Sequence, residues 1–172
     1  MLYEFFKWLS IDYSMFNVFN YLSLRAVLAV ITALSISFLF GGWYIKKLGE
    51  YSFGQYVRAN GPITHIEKMG TPTMGGGLIL ISILLSTLLW SDLTNKYIWL
   101  MIYVTTAFGL IGLVDDYSKI NHKKSDGMSA LTKYTLQSVV AISIAISLFL
   151  NANTAQETSL LIPFFKDLSL PL

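Results

Sequence analysis

Two stretches of this chain place polar, phosphate-friendly groups beside long apolar runs. The first is Lys68-Met-Gly-Thr-Pro-Thr-Met-Gly-Gly-Gly77, and the second is Gly112-Leu-Val-Asp-Asp-Tyr-Ser-Lys119. In the first, Pro72 suits a turn or a helix start and Thr73 is a candidate cap for the helix that follows. A helix N-terminus carries positive partial charge and unpaired N–H groups, glycines allow close approach, and Lys68 adds a full charge. That chemistry suits a phosphate. Helix capping with glycine-mediated packing explains the same residues equally well. In the second stretch, Asp115 and Asp116 follow an apolar helix, where carboxylates oppose the macrodipole and repel each other. A divalent cation or a nearby lysine would relieve both problems. Asp116 and Lys119 share a face if the helix continues. A solvated helix end with a surface ion pair is the plainer alternative.

A third stretch, Gly127-Met-Ser-Ala-Leu-Thr-Lys133-Tyr-Thr-Leu-Gln137, opens another apolar run. Ser129 is a candidate cap, and Lys133 lies one turn from Gln137. A cation in a first helical turn opposes the dipole, so an anionic ligand would compensate; loop topology accounts for Lys133 as well. His65 and His122 stand alone in polar loops, with no metal-ligand spacing. Lysines and a helix N-terminus suit phosphates, and carboxylates suit Mg²⁺. Together they point to phosphoryl chemistry.

The elements that position these groups are membrane-length. Apolar runs cover 22–44, 74–90, 97–114 and 131–150, each close to the ~20 residues that cross ~30 Å of hydrocarbon. Trp43, Tyr44, Trp90, Tyr97 and Trp99 sit at run ends, as interfacial aromatics do. Met1–Tyr21 mixes aromatics with Glu4, Lys7 and Asp12 and reads as an interfacial helix rather than a cleavable leader. The tail from Asn151 holds Pro163 and Pro171, which argue against a long helix. The reading is all-α: a polytopic transmembrane bundle of about four spanning helices, one domain over 1–172.

Composition agrees. Of 172 residues, 54% are hydrophobic and 13% charged, against about a quarter charged in soluble domains. Mean hydropathy is +0.57. A net charge of +2 gives no basis for nucleic-acid binding, and the absence of cysteine excludes disulfides and thiolate metal sites. Lysines and arginine concentrate in 45–73 and 115–130, with Lys133 just beyond, which puts those two loops in the cytoplasm and both ends of the chain outside. Arg25, near the outer end of the first run, can snorkel.

At these residues the chain resembles the polyprenyl-phosphate sugar-phosphate transferases, in particular the phospho-N-acetylmuramoyl-pentapeptide transferase branch. Val57-Arg-Ala-Asn-Gly-Pro-Ile-Thr-His65, the Gly70-Thr-Pro-Thr-Met-Gly-Gly76 string, Asp115-Asp116-Tyr-Ser-Lys119, Gly127-Met-Ser with Lys133 and Gln137, and Pro163-Phe-Phe-Lys-Asp167 follow in family order. The resemblance implies transfer of phospho-N-acetylmuramoyl-pentapeptide from its UDP-sugar to undecaprenyl phosphate, releasing UMP and the first lipid intermediate of peptidoglycan. It implies Mg²⁺ as cofactor, Asp115 and Asp116 as catalytic acids with Asp116 toward the metal, and Lys68, Thr73, Lys119 and Lys133 as substrate-binding residues. It also implies a bacterial inner membrane, a cytoplasmic active face, contact with membrane lipid, and a homodimer of the full-length protein. The family has ten helices, so the chain reads as its N-terminal half, expected to be inactive alone. A sibling enzyme using UDP-N-acetylglucosamine, a non-catalytic membrane half and a transporter fragment are the other readings. The Thr-Pro-Thr-Met string argues against the sibling, and the lack of a mid-span charge argues against a transporter.

Overall fold

The structure is a computed structural model, and it describes residues 1–50, 74–122, 127–152, 159–161 and 169–171. Helix α1 covers Leu2–Asp12 and a 3₁₀ segment covers Ser14–Asn20. Then come α2 (Leu22–Glu50), α3 (Gly76–Trp90), α4 (Lys96–His122) and α5 (Ala130–Leu150). All four prolines of the chain lie outside these helices, as their missing N–H requires. The helical body fits the all-α expectation. The tail adds an antiparallel pair, β1 (Ser159–Leu161) and β2 (Ser169–Pro171), with Leu160 opposite Leu170. Pro171 ends its strand, a position that tolerates the lost donor.

Among the described residues, three helices are long and apolar enough to cross a membrane: Leu22–Glu50, Lys96–Asn121 and Ala130–Leu150. The fourth expected span is shorter. Its helix starts at Gly76 rather than Met74 and has 15 residues, about 22 Å at 1.5 Å per residue, less than the ~30 Å of hydrocarbon. Two other helices outrun their apolar runs. α2 continues through Lys46 and Lys47 to Glu50, and α4 continues two turns past Val114, carrying both aspartates on helix rather than at its end.

The apolar side chains mostly face outward. Phe38 is 81% exposed and Leu39 77%, an arrangement that water would penalise and lipid does not. Small and hydroxylated residues line the contacts between helices, as expected where lipid tails are as apolar as leucine. Ser82 and Ser86 are buried in α3. Their hydroxyls donate to the carbonyls of Leu78 and Ser82, each at 2.8 Å, and Ser37 of α2 donates to Ser82 at 3.2 Å. Gly109 of α4 lies against Leu80, and Tyr103 pairs with Ser143 of α5 at 3.2 Å.

The helices run alternately up and down, so the bundle has two distinct ends. At one, Phe6 and Phe19 stack with Trp90, whose indole N–H donates to Thr32 at 3.0 Å. Arg25 lies over the Tyr3 ring at 4.0 Å, so this guanidinium packs on an aromatic face. Lys96 donates to the carbonyl of Asn151 at the same end. The other end gathers the close of α2, the start of α3, the close of α4 and the start of α5. The polar residues sit there.

Candidate functional site

The site grows from Asp115. Its residue is only 7% exposed, and its carboxylate is filled from three directions. Lys119, one turn later on α4, places Nζ 2.8 Å from Oδ2. Lys133, from the first turn of α5, places Nζ 3.4 Å from the same oxygen. The backbone N–H of Met128 donates to Oδ1 at 3.0 Å. A carboxylate carried into low dielectric needs such partners to stay ionised.

Gly127 makes the clamp possible. A Cβ there would overlap the Asp115 carboxylate and stand 2.8 Å from its carbonyl oxygen. The segment before α5 can therefore pass directly against α4 only without a side chain at this position. Ser129 then caps α5, accepting from Thr132 N–H at 3.1 Å, as its place in the sequence suggested. Lys133 opposes the α5 dipole, and Asp115 is the anion that offsets it.

Asp116 differs from its neighbour. Its side chain is 35% exposed, and Lys119 reaches its Oδ1 at 3.0 Å. The continuing helix does place Asp116 and Lys119 on one face. It also lets one ammonium serve both carboxylates, which relieves their mutual repulsion. Among the described residues no group of three or more His, Asp or Glu forms a metal cage.

The start of α3 comes to the same end. Met74 has φ 72°, the left-handed region that a non-glycine residue adopts only when its surroundings hold it there. Tyr44 of α2 supplies that hold, donating its hydroxyl to the Met74 carbonyl at 3.3 Å. Gly77 admits the Tyr44 ring: a Cβ there would stand 2.6 Å from the hydroxyl and 3.5 Å from Leu113. Leu113 precedes Asp115 by two residues on α4, so the glycine-rich turn packs against α4 at the same end of the bundle as the aspartate cluster, on a different face of that helix.

Capping at this start departs from expectation. The N-cap of α3 is Gly75, with no side-chain cap, because the left-handed turn at Met74 delays the helix past Thr73. Turn carbonyls take two of the first amides: Gly77 N–H donates to Met74 O at 3.1 Å and Leu78 N–H to Gly75 O at 3.2 Å. Thr73 and Lys68 themselves lie outside the described residues, as does His65.

The structure thus brings Asp115, Asp116, Lys119 and Lys133 together and places the Met74–Gly77 turn at the same end of the bundle, packed on Tyr44 and Leu113. Tyr44 escaped the sequence reading, which took it for an interfacial aromatic. Its signal was chemical: a tyrosine hydroxyl at the membrane edge finds a partner. The sequence matches no protein-family model.

Proposed function

We propose that this chain contributes the cytoplasmic active face of a transferase that moves phospho-N-acetylmuramoyl-pentapeptide from its UDP-sugar to undecaprenyl phosphate. One observation supports this reading most. Two adjacent carboxylates and two lysines from different helices gather at the bundle end that also carries the glycine-rich turn. Diphosphate chemistry uses such an arrangement, because catalysis of phosphoryl transfer is mostly positioning and charge neutralisation.

The two aspartates take separate roles. Asp115 has its acceptors filled and acts as the anchor that fixes Lys119 and Lys133. Asp116 is the more accessible carboxylate and is the one available to substrate. It takes the proton from the lipid phosphate, freeing an oxygen to attack the sugar-linked phosphorus. The new P–O bond forms there, the diphosphate bond breaks, and UMP departs. Lys119 and Lys133 face the growing negative charge, and Lys68 and Thr73 are assigned to substrate binding with them on the sequence resemblance.

Mg²⁺ fits this donor set. It commonly takes one or two carboxylates and fills the rest of its octahedron with phosphate and water, and Asp116 offers a partly exposed carboxylate for that role. Bound there, the ion would supply neutralisation of the diphosphate charge. In this account the membrane is the bacterial inner membrane, and these 172 residues assayed alone are expected to release no UMP.

The test is binding and turnover on the reconstituted chain. Equilibrium dialysis is expected to show retention of UDP-N-acetylmuramoyl-pentapeptide over UDP-N-acetylglucosamine, lost in Lys133→Gln, with no UMP released. Equal retention of both nucleotides, or none of either, would remove the reading. UMP release at an ordinary enzyme rate of about 10 s⁻¹ would uphold the reaction and overturn the half-site account.

A further inference from the structure

We infer that the groove between α2 and α3 is a site for one anionic phospholipid, with an acyl chain along the groove and the phosphate at Lys46 and Lys47. The groove has a volume of about 560 Å³ and is walled by Ile36, Phe40 and Trp43 of α2 and Leu78, Ile81 and Leu85 of α3. That lies within the ~300–1,000 Å³ usual for a bound small molecule. Its wall is apolar, so nothing there rewards a polar occupant.

Length selects the occupant. From Ile36 to Lys47 the helix advances roughly 16 Å, about half the ~30 Å hydrocarbon thickness. The groove is therefore one leaflet deep, which matches a lipid tail and falls short of a second spanning helix.

Charge selects the headgroup. Lys47 stands at the groove mouth with its ammonium 4.9 Å above the Trp43 ring, and Lys46 is exposed beside it. Two cations and an indole at the level where tail meets headgroup favour a phosphate that carries net negative charge. A zwitterionic headgroup offsets its own phosphate and gains less. The site is separate from the aspartate cluster and needs none of its residues.

The experiment is native mass spectrometry of the purified chain, delipidated and titrated with phosphatidylglycerol or phosphatidylcholine of identical acyl chains. Phosphatidylglycerol is expected to be retained more tightly. Lys46→Gln and Lys47→Gln should each weaken it about fivefold and leave phosphatidylcholine unchanged. Ile81→Trp, at a half-exposed position, should weaken both lipids by filling the groove. Inorganic phosphate should not displace the lipid. Equal retention of the two lipids would overturn the proposal. So would lysine variants that bind like the parent, displacement by phosphate, or a dimer whose formation Ile81→Trp abolishes.

Discussion

Substituting the two adjacent aspartates one at a time separates an anchor from an available carboxylate. Asp115→Asn keeps an oxygen for the Met128 N–H but gives up its charge toward Lys119 and Lys133. Both lysines are a third or more exposed, which discounts each ion pair toward ~0.2–1 kcal/mol. Lys119 also retains Asp116 at 3.0 Å. The expected loss is about 1–2 kcal/mol. Asp115→Ala goes further, because the Met128 N–H then loses its acceptor in a poorly hydrated position, at about 1–3 kcal/mol more. Asp116→Asn breaks one partly exposed pair and is expected to cost under ~1 kcal/mol. Reversible unfolding in mixed micelles, followed by circular dichroism, should rank the variants Asp115→Ala, Asp115→Asn, Asp116→Asn from least to most stable. The reasoning fails if Asp116→Asn costs as much as Asp115→Ala, or if the two Asp115 variants unfold together.

Gly127→Ala is expected to destabilise by about 1.5–3 kcal/mol, the worth of a hydrogen bond to a charged group, since its methyl group would drive Met128 off Asp115; the same unfolding assay reads it. Tyr44→Phe should cost about 0.5–1.5 kcal/mol and raise amide exchange at Gly77 and Leu78, whose turn depends on the held carbonyl of Met74. Between α3 and α4, the Thr94 hydroxyl and N–H donate to Asp92 Oδ1 at 2.6 and 3.1 Å and hold that carboxyl below its usual range. A depressed folded-state pKa stabilises the turn above the ordinary carboxylate value of 3.8 and is lost as pH falls through the lower folded value. Protection of the Thr94 amide, its exchange relative to the intrinsic rate at each pH, should therefore fall as the pH is lowered below about 4, and Asp92→Asn should flatten that response.

Much of the architecture was legible because lipid imposes a simple rule. Long apolar runs without proline become helices, and 22–44, 97–114 and 131–150 each lie in one. The helix boundaries were less legible. Hydropathy stops at Val114, but the backbone stops at His122, because Asp115 and Asp116 are held by Lys119 within the same helix. The start of α3 lies at Gly76 rather than Met74, behind a left-handed turn at Met74 whose carbonyl accepts from Tyr44, thirty residues away, a contact that no local pattern announces. Within the site, residue types pointed to Asp115, Asp116, Lys119 and Lys133 together. Their division of labour was not readable, since burial of one aspartate and exposure of the next depend on Gly127 and Met128 arriving from another segment.

The account rests on the turn before α3 and the segment before α5 lying with Asp115 at one membrane surface. The chain has no cysteine, so single cysteines at Met74, Met128 and Asn95 can each be labelled with an impermeant maleimide in sealed vesicles of known orientation. Met74→Cys and Met128→Cys should react from the same side and Asn95→Cys from the opposite one. Reaction of the first two from opposite sides would contradict the account.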